Sequence, residues 1–452
     1  MPQVVGHQRL GRDEESARRL WQVAQQATGA SIPDPVHGSG HARARCEAGA
    51  TVGPVKALLL ENLHPLASAI LGEAGVDVKS HPSALDEDEL IEALDGVDLL
   101  GIRSKTEVTS RVLEARPDLV AVGAFCIGTN QIDLDGATRL GVAAFNAPFS
   151  NTRSVVELAV ADIIAMARRL TERDKALHAG VWDKSATGSH EIRGRTLGIV
   201  GYGNIGSQLS VVAEMLGMQV YFYDTDDKLA LGNAKRCSSL DELLDSVETV
   251  TLHVDGRAGN AGIFGPAEFA RMRPRSLFLN LSRGFVVDYE ALRDAIVSGH
   301  VAGAAVDVFP TEPKGRGEAF ESPLRGLPNV ILTPHVGGST EEAQEDIGRF
   351  VGTKLRDYVH SGSTSLSVNL PTLTPGRTTH EQRIAHIHQN TPGVLAHVNQ
   401  VLAEHEVNIG GQVLATRGHT GYVVTDTDSH LSPDVLATLN AVPETVRLRV
   451  ID

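Results

Sequence analysis

The sequence predicts an α/β protein: two doubly wound parallel-sheet domains followed by a smaller ferredoxin-like βαββαβ unit. Three observations carry this. Between Lys56 and His335 short apolar runs alternate with amphipathic stretches, and runs such as LGIV and VAGAAVDV are apolar throughout, as strands covered by helices on both faces must be. A glycine-rich turn, GYGNIG, separates one such run from a helical pattern. Beyond a proline-bearing break, the last stretch reads strand, helix, strand, strand, helix, strand.

In chain order, KALLLEN suits a buried strand, HPLASAILGEAG has helical periodicity ending in glycine, and VDVKS restarts a strand. DEDELIEALDG follows as a helix and VDLLGIRS as a strand; DLVAVGAF and GVAAFN continue that sheet. One long helix is expected over VVELAVADIIAMARRLTERDKALHAG. LGIVGYG, QVYFYD, TVTLHV, SLFLNLS, VAGAAVDV and NVILTPH supply a second sheet. After Tyr358, the polar SGSTS and the segment NLPTLTPGRTT read as a linker, and RIAHIHQ, GVLAHVNQVLAEH, VNIGGQVLAT, GYVVTDTD, SPDVLATLNAV and TVRLRVI form the terminal unit.

Composition bounds the function. A chain of 452 residues with 42% apolar content can bury several cores. Its 41 basic residues against 56 acidic ones leave a net charge of −15, which disfavours a nucleic-acid partner and requires that an anionic substrate be held by local cations. Cys46, Cys126 and Cys237 are widely spaced with no CxxC pair, so a reducing, cytoplasmic setting is expected. No apolar run is long enough to span a membrane, and the N-terminus lacks a signal pattern. Residues 1–54 read as a polar, Gly/Pro-rich extension in which RDEESARRLWQVAQQA could form one short helix. His37, His41 and Cys46 lack a suitably spaced fourth ligand, so solvated loop is the expectation there and metal binding is not.

The glycines Gly201, Gly203 and Gly206 admit two readings, a ligand-free tight turn or a cradle for a pyrophosphate. Context favours the cradle, because the loop follows a strand and opens a helix, whose N-terminal N–H groups would face the same point. The next strand ends in Asp224, where a carboxylate accepts from ribose hydroxyls and repels a 2′-phosphate. This selects NAD over NADP, with Lys228 nearby acting the other way. Arg283, Glu312 and His335 each follow a later strand. Alone, each reads as a surface or structural residue; in a parallel sheet their strand ends share one edge with the glycine loop, so a carboxylate-binding cation and a proton acceptor can converge there.

NTRSVVELAV, the glycine loop with Asp224, NLSRGFVVD, GAAVDVFPTEP and TPHVGGST together resemble the D-isomer-specific 2-hydroxyacid dehydrogenases. FCIGTNQIDLD, FNAPFSNTRSVVE, GVWDK, YGNIGSQL, YFYD and GGSTEEAQ are similar to the phosphoglycerate dehydrogenase branch of that family, over nearly all of residues 55–452. The resemblance implies oxidation of 3-phospho-D-glycerate with NAD. It makes His335 the acid/base, Glu312 its hydrogen-bond partner and Arg283 the group binding the α-carboxylate. Asp307 is expected near the nicotinamide carboxamide, and Asn204, Ile205, His253 and Gly337 join the glycines and Asp224 around the cofactor. Arg103, Lys105 and Asn151 fall on the substrate groups. Trp182 falls at a subunit contact, implying a homo-oligomer, by resemblance a tetramer.

The terminal unit resembles an ACT domain. Its His388, Asn390 and Asn408 fall where the family binds L-serine between two subunits, and Gly393 permits close backbone approach at a helix start; the plainer reading is that His386 and His388 alternate on a strand. The resulting division is an extension over 1–54, a substrate domain over 55–150 and 338–362, a Rossmann NAD-binding domain over 151–337, a linker over 363–380 and the ACT domain over 381–452. Departures from the family pattern are Asp255 after LHV, Leu281 before SRG and the loop GRGEAF after Glu312. Two other functions remain open at this level: a dehydrogenase of another D-2-hydroxy acid, such as D-2-hydroxyglutarate, and a non-catalytic NAD sensor.

Overall fold

The computed structural model describes residues 54–313 and 317–451. The extension, apart from Pro54, with His37, His41 and Cys46, and part of the GRGEAF loop lie outside the described residues.

The first sheet is built from β1 (Lys56–Leu59), α1 (Pro65–Glu73), β2 (Asp77–Ser80), α2 (Glu87–Ala93), β3 (Leu99–Ile102), α3 (Ser110–Ala115), β4 (Ala121–Ala124), α4 (Leu134–Arg139) and β5 (Ala143–Phe145). Its strands are all parallel, in the order β2-β1-β3-β4-β5. The two short helices α3 and α4 have no apolar periodicity to announce them. They start on side-chain caps, Thr109 accepting from Val112 N–H and Asp133 from Gly136 N–H.

The single long helix expected after Asn151 is instead two. α5 (Thr152–Arg168) buries Val155, Val156, Ala159, Ile163 and Met166, whereas α6 (Leu170–His178) buries nothing. Arg169 between them is left-handed (φ 53°), and its guanidinium holds both Glu172 oxygens at 2.6 and 2.8 Å. With no apolar face beyond Ala167 to keep the helix on the core, the local ion pair decides its direction.

The second sheet follows with β6 (Thr196–Val200), α7 (Asn204–Met215), β7 (Gln219–Tyr223), β8 (Lys235–Arg236), α8 (Leu240–Ser246), β9 (Thr249–Leu252), α9 (Pro266–Arg271), β10 (Ser276–Asn280), α10 (Tyr289–Val297), β11 (Val301–Val306) and β12 (Val330–Leu332). All seven strands are parallel, ordered β12-β11-β10-β9-β6-β7-β8. The winding reverses between β6 and β9, which opens a crevice at their C-terminal ends.

The chain then returns to the first sheet through α11 (Glu341–Ser361), whose Val351 and Leu355 close over Gly123 so tightly that a Cβ there would lie 2.7 Å from Val351 Cγ1. Gly352 on the same helix lets α1 approach, a Cβ at that position lying 3.3 Å from Ala67 Cα. The segment read as a linker has no helix or strand, yet it is packed: Thr364, Leu370 and Leu373 are buried. Asn369 holds Ala144 N–H and Val142 C=O, each at 2.9 Å, and so adds to the edge at β5.

The terminal unit comprises β13 (Gln382–Gln389), α12 (Val394–Glu404), β14 (Ile409–Arg417), β15 (Thr420–Thr427), α13 (Pro433–Ala441) and β16 (Thr445–Ile451) in an antiparallel sheet, β14-β15-β13-β16. Ile384 faces α12 and α13, while Ala385, Ile387, Tyr422, Val424 and Ile451 join the core of the first sheet beside Leu355 and Tyr358. Arg447 locks this contact by donating to the carbonyls of Pro117, Leu119 and Leu140 at 2.8 to 3.1 Å. Among the described residues no helix is long and apolar enough to cross a membrane.

Candidate active site

The glycine loop leaves β6 and caps α7. Gly201 is left-handed (φ 92°), and a Cβ on it would lie 2.6 Å from His253 C=O; one on Gly206 would overlap the Gly201 carbonyl. Gly203, in contrast, faces open space, and the α7 N-terminus that it precedes has no side-chain cap. Two glycines thus permit the turn and the third leaves room for a ligand at a helix start that no side chain of the described residues caps, so the loop fits a dinucleotide phosphate. Asn204 and Ile205 open that helix.

At the end of β7, Asp224 accepts from Tyr202 N–H at 2.7 Å and Asp226 N–H at 2.9 Å, which ties the acidic strand end to the glycine loop. Lys228 pairs with Asp226 rather than Asp224. His253 bonds Thr251 Oγ1 through Nε2 at 2.9 Å, and burial pushes its imidazole down to about 4, so it is neutral. Asp255, the unexpected acid beside this crevice, is neutralised by Arg257, whose guanidinium reaches both carboxylate oxygens at 2.6 to 2.9 Å. Leu281 is buried in the same core cluster as Tyr202 and Leu209.

Arg283 is aimed by a turn that Asn280 holds. Asn280 accepts from Ser282 N–H and Oγ–H, and its amide donates to Arg283 C=O at 2.9 Å and to Tyr289 at 3.1 Å. Gly284 is required because a Cβ there would overlap the Phe309 backbone. The Arg283 guanidinium then lies between Gly128 of the first lobe and Gly256 of the second, 3.5 and 3.3 Å from where their Cβ atoms would be.

On the neighbouring strand ends, His335 Nδ1 meets Glu312 Oε2 at 2.9 Å and Oε1 at 3.1 Å, and Glu312 also accepts from Phe309 N–H at 3.0 Å. The hydrogen bond to Glu312 raises the His335 pKa above its ordinary 6.5, against the effect of burial. Burial by itself would raise the Glu312 carboxyl, but its hydrogen bonds from His335 and Phe309 hold it below the usual carboxylate range. His335 is left-handed (φ 55°), a conformation rare outside glycine and kept where surroundings over-determine it.

Those surroundings are Asp307. Its buried carboxylate accepts from Thr333 Oγ1 at 2.6 Å and from the N–H groups of Val336 and Gly337, both at 2.8 Å. Asp307, expected near the nicotinamide, therefore has both oxygens engaged in bracing the His335 loop. Asn151 packs where a Cβ on Gly338 would overlap its amide, and its buried Oδ1 has no partner among the described residues.

The first lobe contributes the loop carrying Arg103 and Lys105. Arg103 lines a pocket of about 630 Å³ with His64, Ser339, Thr340 and Glu341; neither Arg283 nor His335 lines it. Two residues that sequence reasoning missed hold this loop, Glu61 and Gln131, both buried. An acid closing the apolar run KALLLE was the available signal for Glu61; nothing local marks Gln131.

In the terminal unit, His388 is buried across Gly421, where a Cβ would overlap the ring, and its Nε2 has no partner among the described residues. Asn390 donates to Gly418 C=O at 3.1 Å, and Asn408 donates to Asp428. The register sets these groups apart within one chain. Gln389 faces Thr420 and through it Arg417, whereas Ile409 pairs with Thr427 opposite Gln382. Asn408 therefore lies at the other end of the sheet from His388 and Asn390, roughly seven strand residues or 23 Å away.

Residues 160–337 match the family described as D-isomer specific 2-hydroxyacid dehydrogenase, NAD binding domain, and residues 384–447 match the AHAS small subunit-like ACT domain. With the crevice, the cradle and the His335–Glu312 pair facing Arg283, they define an NAD-dependent oxidoreductase of the 2-hydroxyacid class. The chain is 48% identical over 398 residues to D-3-phosphoglycerate dehydrogenase of Haemophilus influenzae, covering 88% of this chain and 97% of that one. The Escherichia coli D-3-phosphoglycerate dehydrogenase is 47% identical over 404 residues, with the same shares covered. In structure it is similar to NAD-dependent formate dehydrogenase from Staphylococcus aureus in complex with NAD (TM-score 0.58, 25% identity, 68% of this chain and 96% of that one). The chain belongs to the D-3-phosphoglycerate dehydrogenase family.

Proposed function

We propose that the protein oxidises 3-phospho-D-glycerate to 3-phosphohydroxypyruvate with NAD, the first step of L-serine synthesis, and that L-serine restrains it through the ACT domain. The observation carrying the reading is the His335–Glu312 pair at 2.9 Å on the strand edge that bears Arg283. Gly201, Gly203 and Gly206 would hold NAD, which would supply the hydride acceptor for C2.

The chain supplies the rest. Glu312 accepts a hydrogen bond from Nδ1–H of His335, which leaves Nε2 of the neutral imidazole to accept the proton of the substrate hydroxyl; in the reverse direction the same nitrogen returns it. Arg283 binds the α-carboxylate and offsets charge developing on the carbonyl oxygen. Asp307 keeps His335 in its strained conformation, Arg103, Lys105 and Asn151 hold the phosphate, and Asp224 selects the unphosphorylated ribose.

The serine reading has support in the separation of His388 and Asn390 from Asn408. One chain cannot close these groups on a small amino acid, but two chains paired antiparallel along the edge of β14, unpaired among the described residues, would bring the two ends together. Val413 and Leu414 on that strand are 48% and 42% exposed. The exposure of Trp182 (80%) beside Val181 (55%) supports a second surface for self-association. The same reading includes a homotetramer in the cytoplasm. NADH formation from 3-phospho-D-glycerate at alkaline pH with a trap for the keto product, with and without millimolar L-serine, tests it. Turnover suppressed by serine is expected. Turnover with D-2-hydroxyglutarate alone, or NAD binding without turnover, would replace the substrate assignment.

A further inference from the structure

We infer that Glu61 and Gln131 are positioning residues that set the phosphate-binding loop, one holding each side of Arg103. The inference rests on reading Arg103 and Lys105 as the groups that meet the substrate phosphate. Glu61 stands just past β1, where the chain turns through two left-handed residues, Glu61 at φ 62° and Asn62 at φ 53°. Neither is glycine, and adjacent non-glycine residues in that region persist only where contacts hold them.

The contacts are on the Glu61 carboxylate. It accepts three backbone N–H groups of one loop: Arg103 at 3.1 Å, Lys105 at 3.1 Å and Thr106 at 2.9 Å. Successive N–H groups turned inward onto one anion form a nest, and here the anion belongs to the protein itself. The carbonyl of Arg103 is held from the other side by Gln131 Nε2 at 2.6 Å. The same amide donates to Gly128 C=O at 3.3 Å, and Gly128 is the residue beside the Arg283 guanidinium. One hydrogen-bond chain therefore runs from Glu61 through the Arg103 peptide and Gln131 to the loop flanking Arg283. It fixes the spacing between the cation for the phosphate and the cation for the carboxylate.

Two effects of Glu61 oppose each other. Its negative charge weakens attraction for a nearby anion, while its three bonds hold the loop in shape. Three charge-assisted bonds outweigh one partly screened repulsion, so removing the charge without changing the shape should weaken phosphate binding. Glu61→Gln does this, since one carboxylate oxygen becomes an NH2 group facing N–H donors. Gln131→Met removes the other hold and keeps the volume.

Wild type and both variants are compared by KM and kcat for 3-phospho-D-glycerate, by KM for NAD, and by the rise in melting temperature that inorganic phosphate produces. In each variant KM for the phosphorylated substrate should rise roughly 10- to 100-fold while kcat and KM for NAD stay within about threefold, and the phosphate-induced stabilisation should be lost. An unchanged or lowered KM with stabilisation intact overturns the inference, as does a wild type that phosphate does not stabilise. If the wild type fails to turn over 3-phospho-D-glycerate, yet phosphate stabilises it and not the variants, the positioning role stands and the substrate assignment falls.

Discussion

Glu312→Gln offers a sharp probe of the proposed acid/base pair. The carboxylate lies 2.9 Å from His335 Nδ1, and the two side chains are 37% and 49% exposed, so solvent screens their attraction. Glutamine removes the charge that holds the His335 pKa up, so the imidazole of the variant should titrate below that of the wild type. Glu312 raises the His335 pKa above 6.5 in the native site. Hydroxyl oxidation needs the neutral imidazole, so kcat/KM climbs as pH rises through that raised value and then levels. In Glu312→Gln the climb should move toward acid, while the amide oxygen still accepts from Nδ1–H and keeps the ring oriented. The plateau should fall by about tenfold, less than the roughly 10² to 10⁴ expected for loss of the base itself, because the imidazole is retained but made less basic. Reduction of the keto acid, which needs the protonated ring, should lose activity near neutrality in the same variant. Initial rates of NADH formation between pH 5.5 and 9.5 measure this, and an acid limb that stays in place or moves upward refutes the coupling.

Other expectations follow from single contacts. Gly203→Ala enters open space, so its melting temperature should match wild type while KM for NAD rises about tenfold or more; Gly206→Ala overlaps the Gly201 carbonyl and should lower both stability and NAD affinity. Arg447→Ala removes three bonds to carbonyls of the first lobe and should cost about 2–3 kcal/mol in chemical denaturation, with earlier proteolytic release of the ACT domain. Asp162 is buried near Asp307, and burial first, then the Asp307 charge, raises its carboxyl to about 7. The folded state holds this proton where the unfolded chain has released it, so stability declines as pH rises from about 4 to 7 and stays reduced above. Asp162→Asn should therefore match wild type near pH 4 and exceed it at pH 8, by up to a few kcal/mol on the order of the shift, as read from melting curves at the two pH values.

The sequence by itself determined the parts whose signal is local. Glycines at Gly201, Gly203 and Gly206 are legible because no other residue accepts the φ of the first or the closeness of the third. Arg283, Glu312 and His335 are legible as a group because parallel strands must present their C-terminal ends on one edge. The βαββαβ order is legible because its periods of two and of 3.6 alternate cleanly. Tertiary structure alone decided the rest. Glu61 meets a loop more than forty residues away, Gln131 one nearly thirty away, and neither partner leaves a trace in its own neighbourhood. The break at Arg169 depends on where the core ends, and the packing of residues 363–380 depends on the outer edge of β5, which Asn369 and Ser367 cover. The two halves of the serine reading lie at opposite ends of one sheet, a separation that strand register sets and no motif encodes. Side-chain chemistry and backbone period are written residue by residue, whereas spacing between distant segments exists only once the chain has closed on itself.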